Sequence, residues 1–300
     1  MGRKWEGRTR GGPFGYMFFI LLVRIAGIWA AYAFLSLVVL YFIPFAPSQT
    51  RSCRMYARRI LGMGKFRAAL FPVRSYYAFG QSIIDRVVSS MGMRDRFGYS
   101  FDGHGKIMEY VRSGTGCIVI GAHVGSWQMG AQFFAPNGAK VNVVMYDNEY
   151  RNIKKVLERN TDQCQFNVIP VNEEDWSFLI SITSAVRNGE LVCFQGDRYM
   201  KEDRVFRADF LGHEAEFPAG PFILAARLGC PVVFYYAMRG KGRNYRFIFR
   251  TPGMELADRG DMKEEEYIFR AYVASLESVV REYPEQWFNY YDFWNLYSSR

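Results

Sequence analysis

Three patterns of apolar and polar residues follow one another along the chain. Between residues 14 and 43 nearly every residue is apolar, and Arg24 carries the only charge. Residues 50–113 mix apolar and basic residues without strict alternation, which predicts helices, including one over residues 75–90. From residue 114 onward, short β-branched and aromatic runs alternate with stretches of helical character. The chain therefore predicts a long apolar helix, a helical segment and then an α/β domain.

The runs beyond residue 114 predict strands because each is short, largely apolar and bounded by turn residues. The predicted strands cover residues 117–123, 140–146, 166–171, 191–196, 231–238 and 245–250. The predicted helices fall near residues 125–134, 149–160, 175–188, 218–228 and 263–282. Strands that alternate with helices favour an α/β sandwich with a largely parallel mixed sheet. We expect residues 1–48 to form a membrane anchor and residues 49–300 to form the main domain.

The apolar N-terminal segment is long enough to cross a membrane. Residues 25–43 form a run of 19 uncharged residues, and about 20 apolar residues span a bilayer as a helix. The run is too long for a signal peptide, and no small-residue cleavage site follows it. Basic residues stand on both sides, with more of them after the run than before it. This bias favours a cytoplasmic main domain, although a helix lying in the membrane interface also fits.

Charge and cysteine content narrow the choice of partner. The 38 lysines and arginines exceed the 29 acidic residues, and the net charge of +9 calls for an anionic partner. A membrane surface, an acidic carrier and nucleic acid all qualify. The basic residues cluster beside the apolar segment rather than on a nucleic-acid recognition module, so we expect no nucleic acid. The five cysteines include no CxxC pair and there are only three histidines, which predicts reduced thiols in the cytoplasm and no metal site.

The most informative motif surrounds His123, in the segment Gly121-Ala-His-Val-Gly-Ser-Trp-Gln128. A predicted strand ends at the histidine, which places the imidazole in the crevice where open α/β sheets bind ligands. Nearby glycines, Gly125 among them, keep the backbone open around the ring. Gln128 stands five residues later and can reach back to fix the tautomer of a general base. The alternative is a histidine that merely packs at the end of a strand.

This motif resembles the HX4(D/E) motif of the lysophospholipid acyltransferase superfamily. It is most similar to that of the late lipid A acyltransferases, the lauroyl/myristoyl type, in which a strand leads into a His-x-Gly-x-Trp-Glu run. Three further blocks agree in order: Gly196-Asp-Arg198, the stretch 210–221, and Tyr283-Pro-Glu-Gln-Trp287. The resemblance covers roughly residues 15–290.

The resemblance implies an O-acyltransferase in the bacterial cell inner membrane, with its catalytic domain facing the cytoplasm. Its donor would be an acyl-carrier-protein or CoA thioester, and its acceptor a hydroxyl of a lipid A-type glycolipid or lysolipid. No metal or other cofactor is implied. His123 would be the general base and Gln128 its partner. Substrate-binding residues would be Gly125, Trp127, Asp197, Arg198 and Gly220.

One departure from the family motif matters for the chemistry. Gln128 stands where the family has an acid, and an amide can orient an imidazole but cannot balance its positive charge. Three alternatives follow. Gln128 acts as a neutral orienter, or another acid, Asp102, Glu149 or Asp197, takes its place. In the third, the chain is a catalytically impaired member that binds membrane lipid or a partner.

Overall fold

The computed structural model describes residues 13–134, 138–146, 166–171, 176–199 and 204–294. The predicted helix at 149–160 and the candidate acid Glu149 lie outside these ranges. The helices are α1 Pro13–Phe45, α2 Pro47–Met55, α3 Lys65–Ser90, α4 Gly105–Ser113, α5 Gln128–Phe134, α6 Ser177–Arg187, α7 Gly220–Leu228, α8 Pro252–Glu255 and α9 Glu264–Glu282. A π-helical turn, Tyr56–Ile60, continues α2, and short 3₁₀ turns cover Arg94–Arg96 and Pro284–Gln286.

The strands confirm the six predicted from the sequence and add three. They are β1 Gly98–Asp102, β2 Cys117–Gly121, β3 Val141–Tyr146, β4 Asn167–Val171, β5 Leu191–Gln195, β6 Val205–Phe210, β7 His213–Pro218, β8 Val232–Arg239 and β9 Asn244–Arg250. Strand β1 has no apolar run that would predict it, because its residues are mostly exposed. Charged residues interrupt the apolar pattern of β6 and β7, so that hairpin was also missed.

Backbone contacts divide the chain into two compact units. One unit contains the described residues of 1–96, 207–216 and 280–300, and the other contains those of 97–206 and 217–279. The first unit is helical apart from the tips of β6 and β7. The second unit contains the main sheet and all the candidate site residues that the structure describes.

The main sheet of the second unit has seven strands in the order β1-β9-β8-β2-β5-β3-β4. Strands β8, β2, β5, β3 and β4 run parallel, β9 is antiparallel to β8, and β1 is parallel to β9. The predicted α/β class with a largely parallel mixed sheet is thus confirmed. The central strand β2 is buried along its whole length, as expected for a parallel strand covered on both faces. Pro170 lies in the edge strand β4, where a missing N–H is tolerated.

In the first unit, α1 is long and apolar enough over Met17–Phe45 to cross a membrane. It is not a continuous helix, however, because Gly27 has non-helical backbone angles (φ 82°, ψ 173°). The C-terminal aromatic segment packs into this unit's core. Phe210 stacks on Trp294 with ring centroids 6.0 Å apart, and Trp287 also packs against Trp294.

Candidate active site

The sheet register brings His123 and Asp197 together. Strands β2 and β5 are parallel neighbours, and Gly121 is paired with Gln195. His123 and Asp197 each stand two residues beyond these paired positions, so both lie at the same level just past the carboxyl ends of their strands. The carboxyl ends of parallel strands form the crevice in which such sheets bind ligands.

Two hydrogen bonds join these residues. The ring Nδ1 of His123 lies 2.8 Å from Oδ1 of Asp197, and the backbone N–H of His123 donates to Oδ2 at 3.0 Å. The Asp197 side chain is 1% exposed, whereas the His123 side chain is 20% exposed. The buried carboxylate is therefore held by its two hydrogen bonds to His123, and the imidazole remains accessible to a ligand.

The electrostatics of this pair favour an ionised carboxylate. Burial raises the pKa of Asp197, but attraction to His123, the two hydrogen bonds and the charge of Arg198 outweigh it, so the pKa is lowered overall. An ionised carboxylate only accepts hydrogen bonds, so in the neutral form of the imidazole the ring proton lies on Nδ1. Nε2 is left with its lone pair, and no described residue forms a hydrogen bond with it. This is the protonation state that a general base needs.

The loop after His123 is fastened to strand β8. The N–H of Ser126 donates to the carbonyl of Ala237 at 2.9 Å, and Gly125 forms a parallel bridge with Ala237. Gly125 has a φ of 63°, and a Cβ there would lie 2.1 Å from the Ala237 oxygen. Glycine at position 125 is thus explained by the close approach of its backbone to Ala237. The sequence alone did not distinguish this structural role from access for a substrate.

A buried tyrosine supports the same strand ends from α9. The hydroxyl of Tyr272 donates to the carbonyl of Gly121 at 2.9 Å, and that carbonyl also accepts the N–H of Gly196 at 2.9 Å. The Tyr272 ring packs so closely on Gly196 that a Cβ there would lie 2.8 Å from it. Tyr272 therefore ties the strand end before His123 to the one before Asp197. Tyr272 was not among the predicted site residues, because the sequence does not distinguish a tyrosine on a helix face from an ordinary core residue.

The sequence model of one protein family matches this chain over residues 79–294, and the family is described as bacterial lipid A biosynthesis acyltransferase. The chain belongs to this family. The matched region contains both His123 and Asp197. The protein is therefore an acyltransferase of lipid A biosynthesis, and its acceptor is a lipid. A search of curated proteins found no significant match.

The structure does not bring Gln128 to the imidazole of this acyltransferase. Gln128 is the first residue of α5 and is half-buried, and no hydrogen bond among the described residues joins it to His123. The expected contact is corrected: Asp197 occupies the Nδ1 side of the ring. The reason is the strand register: because β2 and β5 are paired at Gly121 and Gln195, Asp197 lies beside the His123 ring, whereas Gln128 lies at the start of α5.

The other candidate residues lie in different surroundings. Trp127 is half-buried beside Phe166, with ring centroids 6.0 Å apart. Arg198 is half-buried next to the dyad. Gly220 begins α7 at an exposed position, with Pro221 in the first helical turn. None of these observations tests a role in substrate binding, which stays a prediction for the five candidates Gly125, Trp127, Asp197, Arg198 and Gly220.

Asp102, an alternative acid, is committed elsewhere in the acyltransferase. Arg250 and Arg246 donate to its carboxylate at 2.9 Å and 2.6 Å. The hydrogen bond from Arg250, with further help from Arg246, lowers the pKa of Asp102 to about 2. Of the three alternative acids, Asp197 is thus the one that contacts His123 among the described residues. Within those residues, no group of three or more His, Cys, Asp or Glu side chains could hold a metal ion.

Proposed function

We propose that this acyltransferase moves a fatty acyl group from an acyl-carrier-protein or CoA thioester to a hydroxyl of a lipid A-type glycolipid or lysolipid. His123 is the general base, and Asp197 holds its ring. The 2.8 Å contact between His123 Nδ1 and a buried carboxylate carries the proposal. The catalytic domain would comprise residues 49–300, with residues 1–48 anchoring it at the cytoplasmic face of the bacterial inner membrane.

The reaction follows from the tautomer that Asp197 imposes. Nε2 of His123 accepts the proton of the acceptor hydroxyl while its oxygen attacks the thioester carbonyl carbon. The tetrahedral intermediate collapses by breaking the C–S bond. The departing sulfur takes the proton from Nε2, so the products are an ester and a free thiol. During the step Asp197 balances the positive imidazolium, and general base catalysis contributes about 10²–10⁴ in rate.

The buried carboxylate also bears on the alternative of an impaired, lipid-binding family member. That alternative rests on Gln128, because an amide cannot balance an imidazolium. Asp197 supplies the missing negative charge at the ring itself. We therefore favour a competent enzyme in which Gln128 is not the orienting group.

We further propose that Arg198 and Trp127 contact substrate rather than the ring. A guanidinium recognises phosphate well, and Arg198 follows the buried Asp197 just past the carboxyl end of β5. Both the donor's phosphopantetheine and a glycolipid headgroup present phosphate. Trp127 stands one residue before α5 and offers an aromatic surface beside the same loop. Gly125 and Gly220 are candidates for close backbone approach.

The test is lipid mass spectrometry of cells that lack this protein and are complemented with wild type or variants. Complementation by wild type should restore one acyl group on one lipid, and His123→Ala should not. The matched control is His104→Ala, because His104 is an exposed histidine at the start of α4. If cells with His123→Ala, at normal protein level, had the same lipid profile as cells with wild type, the catalytic proposal would be wrong and the lipid-binding alternative would be favoured.

A further inference from the structure

We infer that the apolar N-terminal helix does not cross the membrane. Instead it folds back at Gly27 into a hairpin that lies on one leaflet. The residues before α1 and those after it would then stand on the same side of the bilayer. The hairpin has two arms: the first arm, residues 13–26, and the second arm, residues 28–45.

The break at Gly27 is built into the backbone. Its φ of 82° and ψ of 173° fall in a region that is essentially reserved for glycine. A helix cannot continue through such a residue, because its carbonyl and N–H no longer align with the neighbouring turns. A Cβ built at Gly27 meets nothing within 4 Å, so the backbone angles, and not a crowded neighbour, are what favour glycine at this position.

Ring contacts show how far the chain turns. The ring centroids of Phe18 and Phe34 are 4.8 Å apart, and those of Phe19 and Phe34 are 6.1 Å apart. In a continuous helix, residues 18 and 34 would be separated by about 24 Å along the axis. The first arm therefore runs back along the second, and Gly27 is the corner of a hairpin.

The second arm already has a protein partner on one face. Its buried residues, spaced three or four apart, are Ile28, Ala31, Tyr32, Leu35 and Val39. Helix α3 receives this face: a Cβ at Gly80 would lie 2.3 Å from Leu35 Cδ1, and the Tyr32 hydroxyl hydrogen-bonds to the buried carboxylate of Asp85. A crossing second arm would have to carry α3 with it.

Helix α3 is unsuited to the hydrocarbon region. It carries charged residues along its length, among them Arg74, Asp85 and Arg86, and charges inside a bilayer are costly. The second arm therefore stays at the membrane boundary, with one face on protein. Arg24 supports the same placement, since it is exposed and stands three residues from the corner, where a deep insertion would bury it in lipid.

The outer face of the hairpin fits a lipid leaflet. Its exposed large side chains are apolar or aromatic: Met17, Phe18, Leu21, Ile25, Trp29, Phe34, Leu37, Leu40, Tyr41 and Phe45. Exposed cations follow directly in α2 and the π-helical turn, at Arg51, Arg54, Arg58 and Arg59. An apolar face with tryptophan and tyrosine beside a basic rim is what an interfacial helix presents to anionic headgroups.

The test is a protease-protection experiment on the full chain carrying one epitope tag before Met1 and another after Arg300. Inverted membrane vesicles and intact spheroplasts are treated with proteinase K. We expect both tags to be cut in the vesicles and both to survive in the spheroplasts. Loss of the first tag alone in spheroplasts would mean that the helix crosses the membrane and would overturn the inference.

Two variants test the corner itself. Gly27→Leu should disfavour the turn, join the arms into one helix and expose the first tag in spheroplasts. Gly15→Leu is the matched control, because Gly15 lies in the first arm with no positive φ and with open space around it. Equal protection of the tag in both variants would show that Gly27 does not set the topology.

A separate measurement does not depend on either variant's topology. With Phe18→Cys and Phe34→Cys combined, copper phenanthroline oxidation of membranes should form a disulfide, detected by peptide mass spectrometry. The pair Phe18→Cys and Leu40→Cys should not form one. Absence of the first cross-link under conditions that oxidise other thiols would refute the folded-back hairpin.

Discussion

Replacing Asp197 by asparagine is the sharpest test of the dyad, because it keeps the shape and removes one acceptor. The carboxylate accepts from two donors at once, the Nδ1–H of His123 at 2.8 Å and its backbone N–H at 3.0 Å. An amide has one acceptor oxygen and one donor group. If its oxygen keeps the backbone bond, its NH₂ faces Nδ1 and forces the ring proton onto Nε2. If its oxygen keeps Nδ1, two donors meet at the backbone.

The first arrangement disables the base, since a protonated Nε2 cannot take the acceptor's proton. A carboxylate-to-amide change behind a catalytic histidine costs about 10⁴ in rate, equivalent to about 5.4 kcal/mol of transition-state stabilisation. The second arrangement leaves a buried donor unsatisfied, which costs about 1–3 kcal/mol of stability. We therefore expect Asp197→Asn to lose about 10³–10⁴ in kcat while remaining folded.

The assay measures thiol release from a panel of saturated acyl-CoA thioesters, with the glycolipid acceptor in detergent micelles. Thermal unfolding of the same preparation separates loss of fold from loss of chemistry. Gln128→Ala is the matched comparison, because Gln128 makes no hydrogen bond to the ring, and it should keep activity within about threefold. Near wild-type turnover of Asp197→Asn would refute the proposed role of Asp197. A loss of activity in Gln128→Ala as large as that in Asp197→Asn would refute it as well.

Three further predictions concern Tyr272, Gly125 and Asp102. Tyr272→Phe removes a buried hydrogen bond to the strand end and should lower the free energy of unfolding by about 1 kcal/mol, measured in urea; no loss would show that the bond is not a support. Gly125→Ala places a Cβ against the Ala237 carbonyl at positive φ and should lower the free energy of unfolding, measured in urea, by about 2 kcal/mol or more. Gly105→Ala is its control and should not lower it, because a Cβ at Gly105 meets nothing within 4 Å. Asp102→Asn should be less stable than wild type at neutral pH, and the difference should shrink as pH falls from about 4 toward about 2, since the pKa of Asp102 is lowered to about 2 by its arginine partners; a constant difference down to pH about 2 would contradict the lowered pKa.

The sequence predicted the candidate histidine His123 and its sheet because those features are local. The apolar run before His123 predicts a buried strand, and the residues after it predict a helix start. Parallel strands buried on both faces have near-continuous apolar runs, which is why β2, β5 and β8 could be found. Strand β1 could not, because its side chains are mostly exposed.

The partner of His123 depended on information that no local pattern holds. Gln128 was favoured since it is five residues away, whereas Asp197 is 74 residues away. Both His123 and Asp197 stand two residues beyond the ends of the observed strands β2 and β5, but only the order of strands makes β2 and β5 neighbours. The choice between them was therefore a question of tertiary structure.

The same division holds for the N-terminal segment. Its composition by itself determined that residues 14–43 avoid water, because the cost of hydrating apolar surface does not depend on how the segment is folded. Whether that segment runs straight or folds back was decided by one backbone turn at Gly27 and by packing of the second arm on α3. Hydropathy is summed residue by residue, and neither the backbone angles of Gly27 nor the packed face of the second arm can be obtained from that sum.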